Sequence, residues 1–428
     1  MTVCALLVGT AWVFTLQSLA LAADGSFQLT QVLGTGEVYG LDARILAAFV
    51  HQSAVVMAAR AGVTDTHVFS VLLGIGQLVV PAIVWSIAIL LSRRDRLVFA
   101  AVAMTAGLCA GTTWFISVSE VVLAVPLTVV VSVLLWLPRG WRWGHVALAS
   151  TASVLLVASY ETAVLTGAVL AVWAGWRAAA SRSRPDRYGS AFVAAASILS
   201  VAVALSGVGA GRNPTHAQSF LYFVVSLEPW PFYVALAGLA ALIAAMGPWL
   251  DGIPRRFVLG SGCAAIALAL SGLEPSAVVA FEARGGATVA GFILQLFLWW
   301  RWIQNRPRAE TCGQHKRGGG ERTHLLVAVP IALVALMVAV NIQPARSWSR
   351  SLDAFRSQVN AAHGVVAVDD VLPPDRRAVL WEWTSSSMSL IVRRDVNAGI
   401  LVDRNPSLVP FPPDSAREQL ADKYTWRK

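Results

Sequence analysis

Charged side chains are scarce in this sequence of 428 residues, at 13% against 56% hydrophobic residues and a mean hydropathy of +0.63. Soluble domains carry roughly 25% charged residues, so a soluble protein is excluded. Lysine is nearly absent, with 3 against 30 arginines. Cysteine is limited to Cys4, Cys109, Cys263 and Cys312, far apart and without a CxxC pair, which argues against a disulfide framework or a zinc site. There is no Walker loop, dinucleotide glycine pattern, HExxH or GxSxG, so nucleotide hydrolysis, zinc proteolysis and serine hydrolysis have no support.

Long apolar runs fill the space that charge leaves. Val121 to Leu137 and His324 to Val340 carry no charge beyond their ends and reach or approach the ~20 residues that cross a bilayer as a helix. Charged punctuation divides the chain into eleven expected spans: 2–22, 66–92, 97–117, 119–137, 145–159, 162–177, 189–209, 230–250, 257–273, 286–303 and 324–341. The first reads as a retained anchor, because its opening residues lack the positive charge of a secretory signal. The expectation is an all-α polytopic membrane domain over 1–341, with a small extracytoplasmic α/β domain over 342–428. Within the membrane domain, an outer loop at 23–65 holds an interfacial helix from Asp42 to Arg60, with Arg44, His51, Gln52 and Arg60 on its polar side. A cytoplasmic linker at 304–323 contains Gly318-Gly319-Gly320. In the tail, Ser351–Ala362 and Arg376–Ile391 read as helices, and Val365–Val368 and Gly399–Val402 as strands.

Where the charges fall sets the orientation. With the N-terminus inside, 17 basic residues lie in inner connections and only Arg44, Arg60, Arg212 and Arg284 in outer ones. This asymmetry accounts for the net charge of +9 and disposes of nucleic acid as its cause. The 32 or so residues from His145 to Arg177 have arginines on both flanks, so they form a hairpin of two short helices that turns at Ser159-Tyr160-Glu161-Thr162. Acidic residues show the reverse bias, nine outside against five inside. Carboxylates at membrane boundaries are costly unless they face a polar cavity, which points to an outward-facing polar site.

Each candidate in that site has two readings. Asp24, followed by Gly25, is placed to take a proton from a substrate hydroxyl, or the pair is a turn that ends the first span. Glu120 and Glu161 form a cavity rim that positions a hydroxyl-rich substrate or a divalent cation, or they answer helix dipoles. Arg284, beside Gly285 and Gly286 at the start of the tenth span, offers a planar donor fork and helix amides to a phosphate, or it pairs with Glu282 or Glu274. Arg212 and His216 are weaker anion candidates, and Arg44 and His51 are carrier contacts or solvated residues of the interfacial helix. In the tail, Asp369-Asp370 reads as a solvated turn rather than a metal pair. Trp381-Glu382-Trp383-Thr384-Ser385-Ser386-Ser387 has groups that stack on and hydrogen-bond to sugars, or it docks the tail on the membrane.

Asp24-Gly25-Ser26-Phe27-Gln28-Leu29, Ser119-Glu120-Val121, Ser159-Tyr160-Glu161-Thr162 and Phe281-Glu282-Ala283-Arg284 resemble recurring stretches in a bacterial set of GT-C-like proteins, and the order of elements resembles the GT-C superfamily of integral-membrane glycosyltransferases. The resemblance covers about residues 1–300. It implies transfer of a sugar, with inversion, from a polyprenyl-phosphate carrier to an extracytoplasmic cell-envelope acceptor at the plasma (inner) membrane. It also implies that an acid in the first outer loop, here Asp24, activates the acceptor hydroxyl. Two departures stand out: many members have a paired acidic motif where Gly25 follows Asp24, and a Tyr where Gly285 follows Arg284. A non-catalytic assembly protein on the same fold therefore stays open, as does a lipid or glycan transporter, although no internal repeat or midplane charge favours the latter.

Overall fold

The computed structural model describes the chain apart from residues 23, 41–43, 114–119, 138–139, 210–229, 247–257, 259–260, 263–264, 267–276, 306–319, 374–383, 403–419, 421–422 and 428. Inside helices it omits the side chains of 208–209, 230–233, 244–246, 277–284, 305 and 320–325. The described helices are α1 (Thr2–Leu16), α2 (Gly25–Thr35), α3 (Ile45–Arg60), α4 (Thr66–Ser92), α5 (Arg96–Thr113), α6 (Val121–Trp136), α7 (Trp143–Leu156), α8 (Ala163–Ala180), α9 (Arg184–Gly209), α10 (Trp230–Met246), α11 (Ala277–Asn305) and α12 (Gly320–Ala361). The tail continues with β1 (Val365–Ala367), α13 (Val368–Val371), α14 (Ser385–Val392) and β2 (Ile400–Val402).

Among the described residues six helices are long and apolar enough to cross a membrane, namely α4, α5, α8, α9, α11 and α12. The other apolar helices are shorter. The 16 residues of α6 extend only roughly 24 Å at 1.5 Å per residue, against a hydrocarbon core of roughly 30 Å. The expected span at 2–22 is also curtailed: α1 ends at Leu16, Ser18 takes a left-handed φ of 57°, and Leu19–Leu21 form a single 3₁₀ turn. Two helices, α7 and α8, flank the expected turn at Ser159–Thr162, and both pack on α9. Most of the expected span at 257–273 and the centre of the expected linker at 304–323 lie outside the described residues.

Apolar helices gain little from the hydrophobic effect when they pack in lipid, so small residues and buried hydrogen bonds carry the contacts. Gly107 and Gly111 of α5 let α12 approach so closely that an added Cβ would collide with Val334 and Met337 respectively. At the same crossing the Asn341 amide donates to Gly111 O at 2.9 Å and Met337 O at 2.8 Å. Gln295 of α11 donates to Thr166 O of α8 at 2.9 Å. In α4 one turn, Ile75–Val79, widens into a π-helix just before Pro81. A proline has no N–H for the ladder, and a π turn is a common local readjustment. Gly76 in that turn has no room for a side chain, because His51 O and Cα of α3 lie against it.

The tail does not begin where the sequence divides. The boundary expected between 341 and 342 falls inside α12, whose 42 residues run roughly 63 Å without interruption. Its distal half buries Trp348, Leu352, Phe355 and Val359, spaced three or four apart on one face. Both expected strands form and pair in parallel, Val365 with Ile400 and Ala367 with Val402. The final residues return to the start of α4, where Thr66 N donates to Thr425 O at 3.0 Å and Arg427 N to Asp65 Oδ1 at 3.1 Å. Met388, Ile391, Leu401, Tyr424 and Trp426 join the same buried apolar cluster as α1, α4 and α5. Tail and bundle thus share one core.

Candidate functional site

Arg44 closes the loop that precedes α3 and is the centre of the site. Leu46 N donates to Ala158 O at 3.0 Å, which seats the start of α3 on the turn between α7 and α8. From there the Arg44 guanidinium spans two carboxylates. Its Nε donates to Glu161 Oε1 at 2.8 Å and Oε2 at 3.0 Å, and its Nη1 to Glu120 Oε2 at 3.3 Å. Tyr160 lies under the guanidinium, with its ring centroid 4.8 Å away. Arg44 is only 5% exposed.

Glu120 precedes α6 and Glu161 stands two residues before α8, positions that helix dipoles favour for carboxylates. Neither caps its own helix. Both turn to Arg44 instead. Burial opposes the arginine charge, but Glu120, Tyr160 and Glu161 outweigh it and hold the Arg44 pKa above its ordinary value. One guanidinium facing two carboxylates leaves the cluster one negative charge in excess.

Asp24 precedes α2, half-buried, and its main-chain carbonyl accepts from Gln28 N at 2.8 Å, while its carboxylate does not cap the helix. Gly25 is the first residue of α2 and has no positive φ, so the turn expected of Asp24-Gly25 is made elsewhere, by Ser18 before α2 and Gly36 after it. The Tyr39 side chain is partly exposed, and its phenol pKa is raised by partial burial and by the charges of Asp24 and Glu120. Gln52 of α3 pins the Tyr39 backbone from both sides, accepting from Tyr39 N at 2.7 Å and donating to Tyr39 O at 2.9 Å.

His51, on the same buried face of α3 as Gln52, is pushed down to about 4 by burial, with the Glu120 charge opposing the shift only in part. It is therefore neutral at pH 7. A histidine whose folded pKa is depressed costs the fold stability as pH falls from its unfolded value near 6.5 toward its folded one. The expected loss is on the order of 3 kcal/mol by pH 4. His51→Gln should flatten the part of the stability profile between pH 6.5 and 4, measured as the difference in unfolding midpoint between variant and wild type. Identical profiles would mean that His51 is solvated.

The face that α3 turns to the protein carries His51 and Gln52 among Ala47, Ala48, Val55, Val56 and Ala59. Arg44, His51 and Gln52 are buried, while Ile45, Phe49 and Met57 point outward and are 38%, 54% and 71% exposed. Arg44, His51 and Gln52, expected on the polar side of an interfacial helix, face the protein and not solvent, and Val56 of the expected apolar side is buried too. Only Arg60 among the named polar residues is exposed.

Arg44, Glu120 and Glu161 therefore meet. Arg284 differs from expectation: α11 starts at Ala277, which puts Arg284, Gly285 and Gly286 inside the helix, where the backbone amides serve the ladder and offer no anion site. One turn later Thr288 and Gly291 line a narrow cleft with Thr128, Ser159, Tyr160 and Thr166. The side chains of Glu282 and Arg284, and all of Arg212, lie outside the described residues. Asp369 and Asp370, expected as a turn, belong to the short helix α13. Among the described residues no three His, Cys, Asp or Glu side chains converge to hold a metal ion, and the rim carboxylates meet an arginine instead.

Sequence reasoning missed Tyr39, although its outer-loop position, two residues after Glu37, was a usable signal, and it named Gln52 only as part of the polar side of α3. At the opposite end of the bundle the ion pairs are separate: Arg177 Nε to Asp186 Oδ1 at 2.8 Å and Arg301 Nη2 to Asp95 Oδ2 at 2.9 Å. Compared with known protein families, curated proteins and solved structures, the chain matches none of them.

Proposed function

We propose that this chain is a GT-C-like membrane enzyme of about eleven spans, N-terminus inside and tail outside at the plasma membrane, that transfers a sugar from a polyprenyl-phosphate carrier to a cell-envelope acceptor. Asp24 takes the proton of the attacking hydroxyl. Arg44, Glu120, Glu161 and Tyr39 shape the polar rim around it, and Arg284 and Glu282 are the proposed carrier-binding residues. The observation that carries this reading is the convergence of Arg44, Glu120 and Glu161 with Tyr160, drawn from three separate segments, at one end of an otherwise apolar bundle. Buried ionisable groups at the end of an apolar helix bundle mark functional sites by default.

One observation favours a second reading. Glu120 and Glu161 are both engaged by Arg44, which is also how an assembly protein would use them, to lock its outer loop. The test is direct. Purified protein in nanodiscs, given a radiolabelled polyprenyl-phosphate-sugar pool and a cell-envelope fraction, should move label into the envelope fraction. Label that stays wholly on the carrier would decide for the assembly protein.

A further inference from the structure

The N-terminal turn of α14 gathers polar groups that the arginine cluster does not use. Ser385, Ser386 and Ser387 are its first three residues, at 3%, 2% and 1% exposure, and among the described residues none of their hydroxyls has a hydrogen-bond partner. A serine deeper in a helix satisfies itself on the carbonyl four residues back, as Ser389 does on Ser385 O at 2.8 Å. The first turn has no helical carbonyl in that place, so these three hydroxyls lack the usual outlet. The backbone N–H groups of the same turn also lack intrahelical acceptors, and Thr384, which precedes them, supplies no side-chain cap.

Because Cα–Cβ bonds lean toward a helix N-terminus, the serine side chains tilt to the end where those amides emerge. The facing surface comes from α2. Ser26 there is fully buried with its hydroxyl unpartnered, and Thr30, which donates to Ser26 O at 2.8 Å, has its Oγ1 3.5 Å from Ser387 O.

Four unpartnered hydroxyls beside the positive end of a helix dipole lack one thing, a group rich in acceptor oxygens that carries negative charge. Phosphate offers more acceptor positions than a carboxylate and matches that number of donors. We infer that the N-terminal turn of α14, together with Ser26 of α2, binds a phosphate group. The inference stands independently of sugar transfer and leaves two sources of the group, free phosphate or the phosphate of a polyprenyl lipid.

Full-length protein is the sample. Its thermal midpoint in detergent is followed against sodium phosphate, with sodium chloride at matched ionic strength as control. In nanodiscs it is followed against a polyprenyl phosphate, with the uncharged polyprenol as control. A saturable rise in either arm above its control is expected, and the arm that shows it names the source. In the double variant Ser386→Ala, Ser387→Ala the affinity should fall about tenfold or more, the loss of hydrogen bonds to a charged group. The same variant, without ligand, should melt at the wild-type midpoint or higher, since it removes hydroxyls that had no partner. Ser387→Asp supplies the missing anion covalently and should raise the ligand-free midpoint while abolishing the response, so it decides the matter even where the double variant folds poorly. No saturable rise in either arm would overturn the inference and assign the hydroxyls to buried water. Undiminished binding in the variants would overturn it as well, by placing the phosphate elsewhere. Neither result depends on the sugar-transfer assay.

Discussion

Asp24→Asn is expected to lower sugar transfer by about 10²- to 10⁴-fold, the share of the rate that a general base contributes. The substitution keeps the shape of the side chain and one acceptor oxygen but removes the group that can take the hydroxyl proton. It also separates the two meanings of Asp24. Asparagine serves before a helix about as well as aspartate, so a residue that only starts α2 would tolerate the change in both stability and rate. A proton acceptor would tolerate it in stability alone. The neighbourhood suits the second role, because Asp24 is half-buried and its negative charge helps to raise the pKa of the Tyr39 phenol. Carrier binding, read by retention of labelled carrier on the protein, should stay near wild type. An Asp24→Asn enzyme with unaltered turnover would remove the base from the mechanism.

Much of the helical layout was legible in the sequence because it rests on local patterning. Apolar runs punctuated by arginine gave α4, α8 and α9 to within a few residues, and the arginines flanking His145–Arg177 predicted the two helices, α7 and α8, that flank Ser159–Thr162. The strands at 365–367 and 400–402 were visible from composition, although their parallel pairing was not. Where the reading went astray, the cause was tertiary. A break in α1 needed the left-handed Ser18, which an apolar run does not announce. The division at 341/342 followed a change in composition, yet α12 continues across it because Trp348, Leu352, Phe355 and Val359 sustain one apolar face past the polar onset of the tail.

The candidate site was legible as residue types and not as partners. Glu120 and Glu161 were recognisable as outer carboxylates at helix starts, but nothing local says that both reach the same arginine 76 and 117 positions earlier in the chain. Arg44 looked like the edge of an amphipathic helix, since Ile45, Phe49 and Met57 recur at helical spacing. That stripe is the outward one, and the buried side of α3 packs His51 and Gln52 among alanines and valines. The Ser385–Ser387 run drew notice for its hydroxyls, but their burial against α2 depends on the tail folding back, which no local signal encodes.

Arg44→Ala is expected to destabilise the protein by about 3–5 kcal/mol, the cost of leaving buried charge without its partner. The side chain of Arg44 is 7% exposed and those of Glu120 and Glu161 11% and 18%, so water offers the two carboxylates little compensation. Arg44→Lys retains the charge but presents a single point donor where a fork now serves both acids, and it should fall between wild type and alanine. The decisive comparison is a rescue. Adding Glu120→Gln and Glu161→Gln to Arg44→Ala removes the stranded charges and should recover most of the loss, whereas either glutamine alone should recover part. Denaturant midpoints of the purified protein measure all of these. Should Arg44→Ala unfold at the wild-type midpoint, the cluster is well hydrated and its grip on the outer loop is weak. Should the triple variant regain stability without regaining transfer, the ion cluster both holds the loop between α2 and α3 against the α5–α6 and α7–α8 turns and shapes the polar rim that Asp24 needs in order to act.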